Sequence, residues 1–348
     1  MTIKKIIITG NHHTHAIELI NQLIQDRHIN WQVNYLSHDF AAETHLTQTI
    51  IPNYQPSFYQ LTSGKINRNS FVATILGLPL TIKAIFTSLF LIKQIKPDII
   101  VSFGGYTSVP VIIAAYLSRV PAISHEQTLT LSLSNQINRF FVKYLALSFP
   151  LKNSPPNSVV TGNLLRSQIF LTTTQNFSSL KLNSYPLLYI TGGSQGSQTI
   201  NRLVGQLLPR LLPHFTIIHQ TGHKTVAEFH HPRYLSPAYV GQADIGWVLH
   251  QATLIIGRAG ANFCQEIATL QKKSILIPLP QSQQDEQLLN ALWLKKQLPQ
   301  TTIIIPENQL TPSALLTAVN QLKIIKTPPL TITPKLNLKL LRLIHRLV

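Results

Sequence analysis

Short runs of aliphatic and β-branched residues alternate along this chain with longer stretches whose apolar positions recur every three to four residues. In the first half the short runs are Ile6–Thr9, Gln32–Leu36, Asp98–Phe103, Ala122–Ser124 and Ser158–Thr161. In the second half they are Leu187–Thr191, Thr216–Gln220, Ala238–Val240, Leu254–Gly257, Ser274–Pro278 and Thr302–Ile305. Strands alternating with helices predict βαβ units, hence parallel sheets covered by helices. A Ser-, Thr- and Asn-rich stretch at 162–184 parts the two series. The expected organisation is an N-terminal α/β domain over 1–163, a C-terminal one over 164–330, and a basic helix over 331–348 that packs back on the N-terminal domain. A chain of 348 residues is long enough for two such domains.

The run Leu187–Thr191 ends in Gly192-Gly193-Ser194-Gln195-Gly196, and a helical pattern (Ile200, Leu203, Val204, Leu207, Leu208) follows. A strand, a glycine turn and a helix start can together present backbone N–H groups and a helix dipole to a phosphate. Its place at the head of the second series suggests a ligand cleft between two domains.

Two segments bear on membranes. Phe71–Ile92 is almost continuously apolar, broken by Pro79 and Lys83 and followed by Lys93 and Lys96. It has about the 20 residues that a span needs. Its internal Pro and Lys, and its place between two strands, favour a helix with one face buried in the domain and one exposed. Near the C-terminus Lys335, Lys339, Arg342 and Arg346 share one helical stripe beside Leu336, Leu340, Leu343 and Leu347. Such a helix suits an anionic lipid surface or, equally, packing through its leucines with the basic groups in water.

Charge adds to this picture. Twenty-nine Lys and Arg face twelve Asp and Glu, a formal net charge of +17, so the field attracts anionic surfaces. Nucleic acid and anionic lipid are both such surfaces, and a uniformly basic proteome is a third explanation. There is no zinc-finger spacing and no aromatic RNA-binding signature. The single cysteine, Cys264, excludes an internal disulfide and favours a reducing compartment.

Further candidate chemistry sits at strand ends, where ligands bind in open α/β sheets. Gly104-Gly105-Tyr106 and His125-Glu126-Gln127 follow two strands of the first series. Thr9-Gly10-Asn11-His12-His13-Thr14-His15 follows the first strand. Its histidines lack a carboxylate cluster, which argues against metal and for a general base. In the second series Gly257-Arg258-Ala259-Gly260-Ala261 precedes Glu266, a carboxylate able to accept ribose hydroxyls. Gln287 and Asn290 share one helix face, and their amides suit sugar hydroxyls. No Asp-x-Asp occurs, so no metal-bridged diphosphate is expected.

Taken in order, these blocks resemble the MurG family of glycosyltransferases. The matching residues are Gly104-Gly105-Tyr106 with Ser108, His125-Glu126-Gln127, Thr161-Gly162-Asn163 with Arg166, Gly192–Gly196, His219-Gln220-Thr221-Gly222, Arg258–Ala261 with Glu266, and Gln287 with Asn290. The resemblance covers roughly residues 1–310. It implies a GT-B architecture, two Rossmann-like domains facing across a cleft. It also implies inverting, metal- and cofactor-independent transfer of N-acetylglucosamine from UDP-GlcNAc to lipid I, giving lipid II for the cell wall. The enzyme would be peripheral at the cytoplasmic face of the cell membrane, with other cell-wall enzymes as candidate partners and no nucleic acid.

Carried over residue by residue, His15 and Glu126 are the catalytic candidates. Arg166, Ser194, Gln195, Gly196, Arg258, Ala261, Glu266, Gln287 and Asn290 would bind the donor. Gly10, Asn11, Gly104, Gly105, Tyr106, His125, Gln127 and Thr128 would bind the acceptor. The chain departs from the family's first loop, Gly-Gly-Thr-Gly-Gly-His, which here reads Gly10-Asn11-His12-His13-Thr14-His15. Thr128 stands where the family has Asn, Leu164 where it has Pro, and Asn262-Phe263 replace a Ser/Thr pair. The altered loop keeps alive transfer to another membrane lipid, such as a diacylglycerol. A sugar-nucleotide epimerase and a non-catalytic membrane-binding subunit are the readings from other classes.

Overall fold

The computed structural model describes residues 2–10, 13–38, 56–64, 71–151, 153–178, 180, 182, 185–222, 229–280, 285–325 and 337–348, with side chains of the helix beginning at Phe71 described from Gly77 onward. The chain forms two compact units, Met1–Arg166 with Leu336–Val348, and Ser167–Lys335.

The first unit runs β1 (Thr2–Thr9), α1 (His13–Ile24), β2 (Ile29–Ser37), β3 (Ser57–Gln60), α2 (Phe71–Ile95), β4 (Ile99–Ser102), α3 (Ser108–Leu117), β5 (Ala122–Glu126), α4 (Leu133–Asn138), β6 (Tyr144–Leu147) and β7 (Ser158–Val160). Its parallel sheet has the order β3-β2-β1-β4-β5-β6-β7. Side chains alternate across a strand, and β1 uses both faces. Ile6 and Ile8 enter the core beneath α1, while Ile7 enters the core beneath α2 and α3. A strand buried on both sides reads as a continuous aliphatic run. On α2, Ala84, Ser88, Leu91, Ile92 and Ile95 face the sheet. Leu78, Ile82, Phe86 and Phe90 face outward.

The second unit runs β8 (Leu187–Thr191), α5 (Gln198–Leu211), β9 (Thr216–Gln220), β10 (Tyr234–Leu235), α6 (Gln242–Gln251), β11 (Ala252–Gly257), α7 (Ala261–Thr269), β12 (Ser274–Leu276), α8 (Glu286–Gln297), β13 (Thr302–Ile304) and α9 (Pro312–Lys323). The sheet order is β10-β9-β8-β11-β12-β13, all parallel. In both units the order reverses beside the first strand of the series, which makes a switch-point crevice at the carboxyl ends of the strands. Helix α5 buries Ile200, Leu203, Val204, Leu207, Leu208 and Leu211, and Ser197 caps it by accepting from Ile200 N at 3.4 Å.

The last helix, α10 (Lys339–His345), belongs to the first unit and sends Leu340, Leu341, Leu343 and Ile344 into its core. His345 Nε2 lies 2.6 Å from Asp26 Oδ2, and its ring stacks on Trp31. The tail's leucines are therefore used by the protein itself, which removes them as a lipid-facing surface. Lys339, Arg342 and Arg346 remain exposed, while Lys335 and Leu336 lie outside the described residues.

Three expectations are corrected. Residues 238–240 are not a strand: Val240 N donates to Gln220 Oε1, and Ala238 O accepts from Gly222 N beyond the end of β9. The edge strand is Tyr234–Leu235 instead. Strands β3 and β6 are additional, each only four residues long. The boundary falls after Arg166 rather than after Asn163, because Leu164 is buried in the first core and Asn163 O accepts from Asn337 Nδ2 at 2.9 Å.

Candidate active site

In the first unit the expected acceptor residues gather at the carboxyl ends of β1, β4 and β5. Gly10 follows β1 with φ +126°, a conformation open to glycine. A Cβ there would stand 2.7 Å from the Gly104 carbonyl oxygen. The first and second glycine turns are thus in backbone contact. The second turn is held by donated bonds from Gly104 N to Ser102 Oγ (3.1 Å) and from Gly105 N to Ser134 Oγ (3.0 Å). Ser108 Oγ donates to Gly105 O at 2.7 Å. Tyr106 is half-buried, its ring 4.9 Å from His38. Asn11 and His12 lie outside the described residues.

His15 is the third residue of α1 and is buried. Its ring stacks on Phe103 at 6.0 Å and lies 6.1 Å from His125. His125 Nε2 sits 3.1 Å from Gly162 O. A carbonyl only accepts, so the hydrogen is on Nε2, and Nδ1 is left to accept from Gln127 Nε2 at 3.4 Å. Gln127 also donates to His125 O and Phe103 O, so it braces this strand end.

Glu126 is buried and its carboxylate is fully committed. Oε1 accepts from Thr128 N and Thr128 Oγ1, and Oε2 accepts from Ser132 N and Asn135 Nδ2. A carboxylate with four donors organises the loop 127–135 rather than standing ready for a substrate proton. Thr128 is thereby tied to the Glu126 carboxylate through both its N–H and its hydroxyl. Sequence reasoning missed Asn135, whose Oδ1 accepts from Ser124 Oγ, and Asn138, whose Nδ2 reaches both Ser108 and Ser124. Lone asparagines carry no motif signal.

In the second unit the donor candidates converge at the carboxyl ends of β8, β11 and β12. Ser194 and Gln195 are exposed on the loop before α5. Gly196 has φ +71°, and a Cβ on it would meet Thr221 O at 2.0 Å. Gln220 Nε2 donates to Gly193 O at 3.0 Å, which ties this loop to β9. Behind it His219 links Tyr234 Oη and Asn201 Oδ1, both at 3.0 Å. Burial lowers the His219 pKa to about 4.

Arg258 is engaged within the second unit. Its guanidinium donates to Ser197 Oγ (2.8 Å) and Ile277 O (3.2 Å), and pairs with Glu307 at 2.5 Å. Glu307 also accepts from Thr199 Oγ1 at 3.1 Å. Arg258 therefore ties the cap of α5 to the segment that follows β12. Glu307 was missed, since it is far from Arg258 in sequence. Ala261 opens α7, and Glu266 is buried on the same helix. Asn290 Nδ2 donates to Ala259 O at 3.1 Å, and Gln287 Oε1 accepts from Leu279 N at 3.0 Å. The Phe263 ring lies against Gly257, where a Cβ would come within 2.9 Å of it. Arg166 is half-buried at the end of the first unit.

Comparison with known proteins follows the same division. Residues 9–146 match the glycosyltransferase family 28 N-terminal domain, and residues 187–335 match its C-terminal domain. A Clostridium kluyveri UDP-N-acetylglucosamine--N-acetylmuramyl-(pentapeptide) pyrophosphoryl-undecaprenol N-acetylglucosamine transferase is 31% identical, over 93% of this chain and 92% of its own length. A Bacillus cereus transferase of the same activity name is 32% identical over 84% and 85%. The crystal structure of Acinetobacter baumannii MurG superposes with a TM-score of 0.69 at 23% identity, covering 99% of both chains. Two parallel-sheet α/β units and these matches give the chain the GT-B architecture. It belongs to glycosyltransferase family 28, in the MurG branch.

Proposed function

We propose that this chain transfers N-acetylglucosamine from UDP-GlcNAc to undecaprenyl-diphosphate-linked N-acetylmuramyl-pentapeptide, turning lipid I into lipid II at the cytoplasmic face of the membrane. The observation that carries this reading is the match, 31% identical and nearly full-length, to a transferase of that printed activity. The second unit takes the donor. Its diphosphate lies along Ser194, Gln195 and Gly196, where the first N–H groups of α5 have no intrahelical partner. Glu266 holds the ribose, Ala261, Gln287 and Asn290 read the sugar, and Arg166 adds a cation to the nucleotide.

The first unit takes the acceptor at Gly10, Gly104, Gly105, Tyr106, His125, Gln127 and Thr128. His15 accepts the proton of the acceptor 4-hydroxyl as that oxygen bonds to the anomeric carbon. The bond from this carbon to the UDP oxygen breaks, and its electron pair leaves on the diphosphate, where the helix dipole and N–H groups receive it. A single displacement inverts the anomeric centre. No step calls for a metal or cofactor.

The outward face of α2, with Lys83, Lys93 and Lys96 beside it, is the surface we assign to anionic lipid. Helix residues 77–95 are long and apolar enough to cross a membrane, but one side of the helix is core of the first unit.

The test is UDP release from UDP-GlcNAc with lipid I, with diacylglycerol, and with no lipid. Release only with lipid I supports the proposal. Release only with diacylglycerol moves the enzyme to glycolipid synthesis, and conversion of UDP-GlcNAc to an epimeric UDP-sugar without lipid, read by chromatography of the same mixtures, makes it an epimerase.

A further inference from the structure

Tyr35 lies in β2, opposite Ile8 of β1, and is wholly buried with its ring stacked on Phe58 at 5.8 Å. Its hydroxyl is placed between two parts of the chain that begin the acceptor loop and end it. The oxygen is 3.2 Å from Gly10 O and 2.8 Å from His13 Nδ1. A carbonyl can only accept, so the phenolic hydrogen goes to Gly10. The oxygen's lone pair then takes the His13 Nδ1 hydrogen. Both bonds are thereby assigned a direction, and the hydroxyl has a donor and an acceptor partner inside the fold. Burial pushes the Tyr35 pKa up, so the hydrogen stays in place at any working pH.

We infer that the Tyr35 hydroxyl is a positioning group for acceptor binding, fixing Gly10 to His13 and with them the first turn of α1 that carries His15. On its other side Gly10 leaves no room for a side chain, since a Cβ there would stand 2.7 Å from the Gly104 carbonyl oxygen. Gly10 thus lies between the Gly104 turn and the Tyr35 hydroxyl. The departure from a glycine-rich loop gives this link its purpose. His13 brings a side chain where glycine would bring none, and that side chain needs a fixed partner if the turn is to keep one shape. This inference rests on the assignment of Gly10–His15 to the acceptor.

The experiment is steady-state kinetics on Tyr35→Phe, which removes one oxygen and keeps the ring. The acceptor is lipid I, varied at saturating UDP-GlcNAc, and the donor is then varied in turn. The expected result is a fall in kcat/KM for the acceptor of roughly five- to tenfold, the size of one or two hydrogen bonds. The donor KM stays unchanged. His13→Ala gives a similar loss, and Tyr35→Phe/His13→Ala loses no more than the worse single variant, because both break the same link.

An acceptor kcat/KM within about twofold of the parent overturns the inference. So do a rise in donor KM equal to that in acceptor KM, or single losses that multiply in the double variant. A parent enzyme that turns over no lipid I would overturn the proposed function instead, and that result precedes any variant.

Discussion

Membrane docking through α2 gives the sharpest quantitative prediction. Ile82, Phe86 and Phe90 recur every four residues, so they form one stripe, and Phe86 and Phe90 are 68% and 66% exposed. A phenylalanine offers on the order of 200 Å². Two-thirds of that, at about 25 cal/mol per Å², is about 3 kcal/mol per ring on full immersion. A helix lying in the headgroup boundary buries its rings partway, which halves the figure. Phe86→Ser/Phe90→Ser should therefore cost about 3 kcal/mol of membrane affinity, a loss on the order of a hundredfold. Neither ring supports the core, so the melting temperature should stay within about 2 °C of the parent. Co-sedimentation with phosphatidylglycerol vesicles at low and high salt measures the loss. The apolar contribution persists in salt, while that of Lys83 and Lys93, ~1 kcal/mol each, is screened. If the double variant sediments like the parent at high salt, this helix does not dock and the argument fails.

Three further outcomes follow from the sites. His15→Ala should lower kcat by about 10²–10⁴, the usual range for a general base, with UDP binding intact by calorimetry; undiminished turnover would reassign the base. Gly196→Ala forces a left-handed backbone at about 1–2 kcal/mol and a contact with Thr221 O that must be relieved. The KM for UDP-GlcNAc should rise at least tenfold while the acceptor KM holds, and equal changes in both would refute a donor-loop role. His219 has a pKa of about 4 in the fold against 6.5 when free. On acidification the unfolded chain binds this proton first, so its contribution to stability is whole above pH 6.5 and declines from there to pH 4. The decline reaches up to ~3 kcal/mol. Urea denaturation of His219→Gln should show a shallower pH slope over that window, and identical slopes would rule this histidine out as the source.

Much of the fold is legible because parallel strands buried on both faces leave continuous aliphatic runs, as at Ile6-Ile7-Ile8 and Leu187–Ile190. Short edge segments lack that signature. Ser57–Gln60 is four residues with polar ends, and Ala238–Val240 looks like a strand but bonds to the loop beyond β9. Residue positions in the site are legible through glycine turns and strand ends. Roles are less so, because a role depends on which partners are already engaged. Glu126 and Arg258 both stand at strand ends in motif context. Only their hydrogen bonds reveal that one braces a loop and the other ties a helix cap.

The two glycine turns proposed to face diphosphates meet one physical requirement by different means. Each must hold backbone N–H groups at a fixed angle to an anion, and glycine alone gives freedom rather than fixity. In the second unit, contacts between glycines supply the fixity. Gly196 and Gly222 pack backbone to backbone so closely that a Cβ on either would fall within 2.5 Å of the other strand-end loop. That arrangement tolerates no side chains, and the sequence there keeps its glycines. In the first unit's turn Gly10 makes such an approach to Gly104, and side chains add to the hold: Tyr35 on Gly10 and His13, and Phe103 against His15. Side-chain bonds are more readily altered than backbone contacts. Single substitutions should therefore change acceptor preference more easily than donor preference.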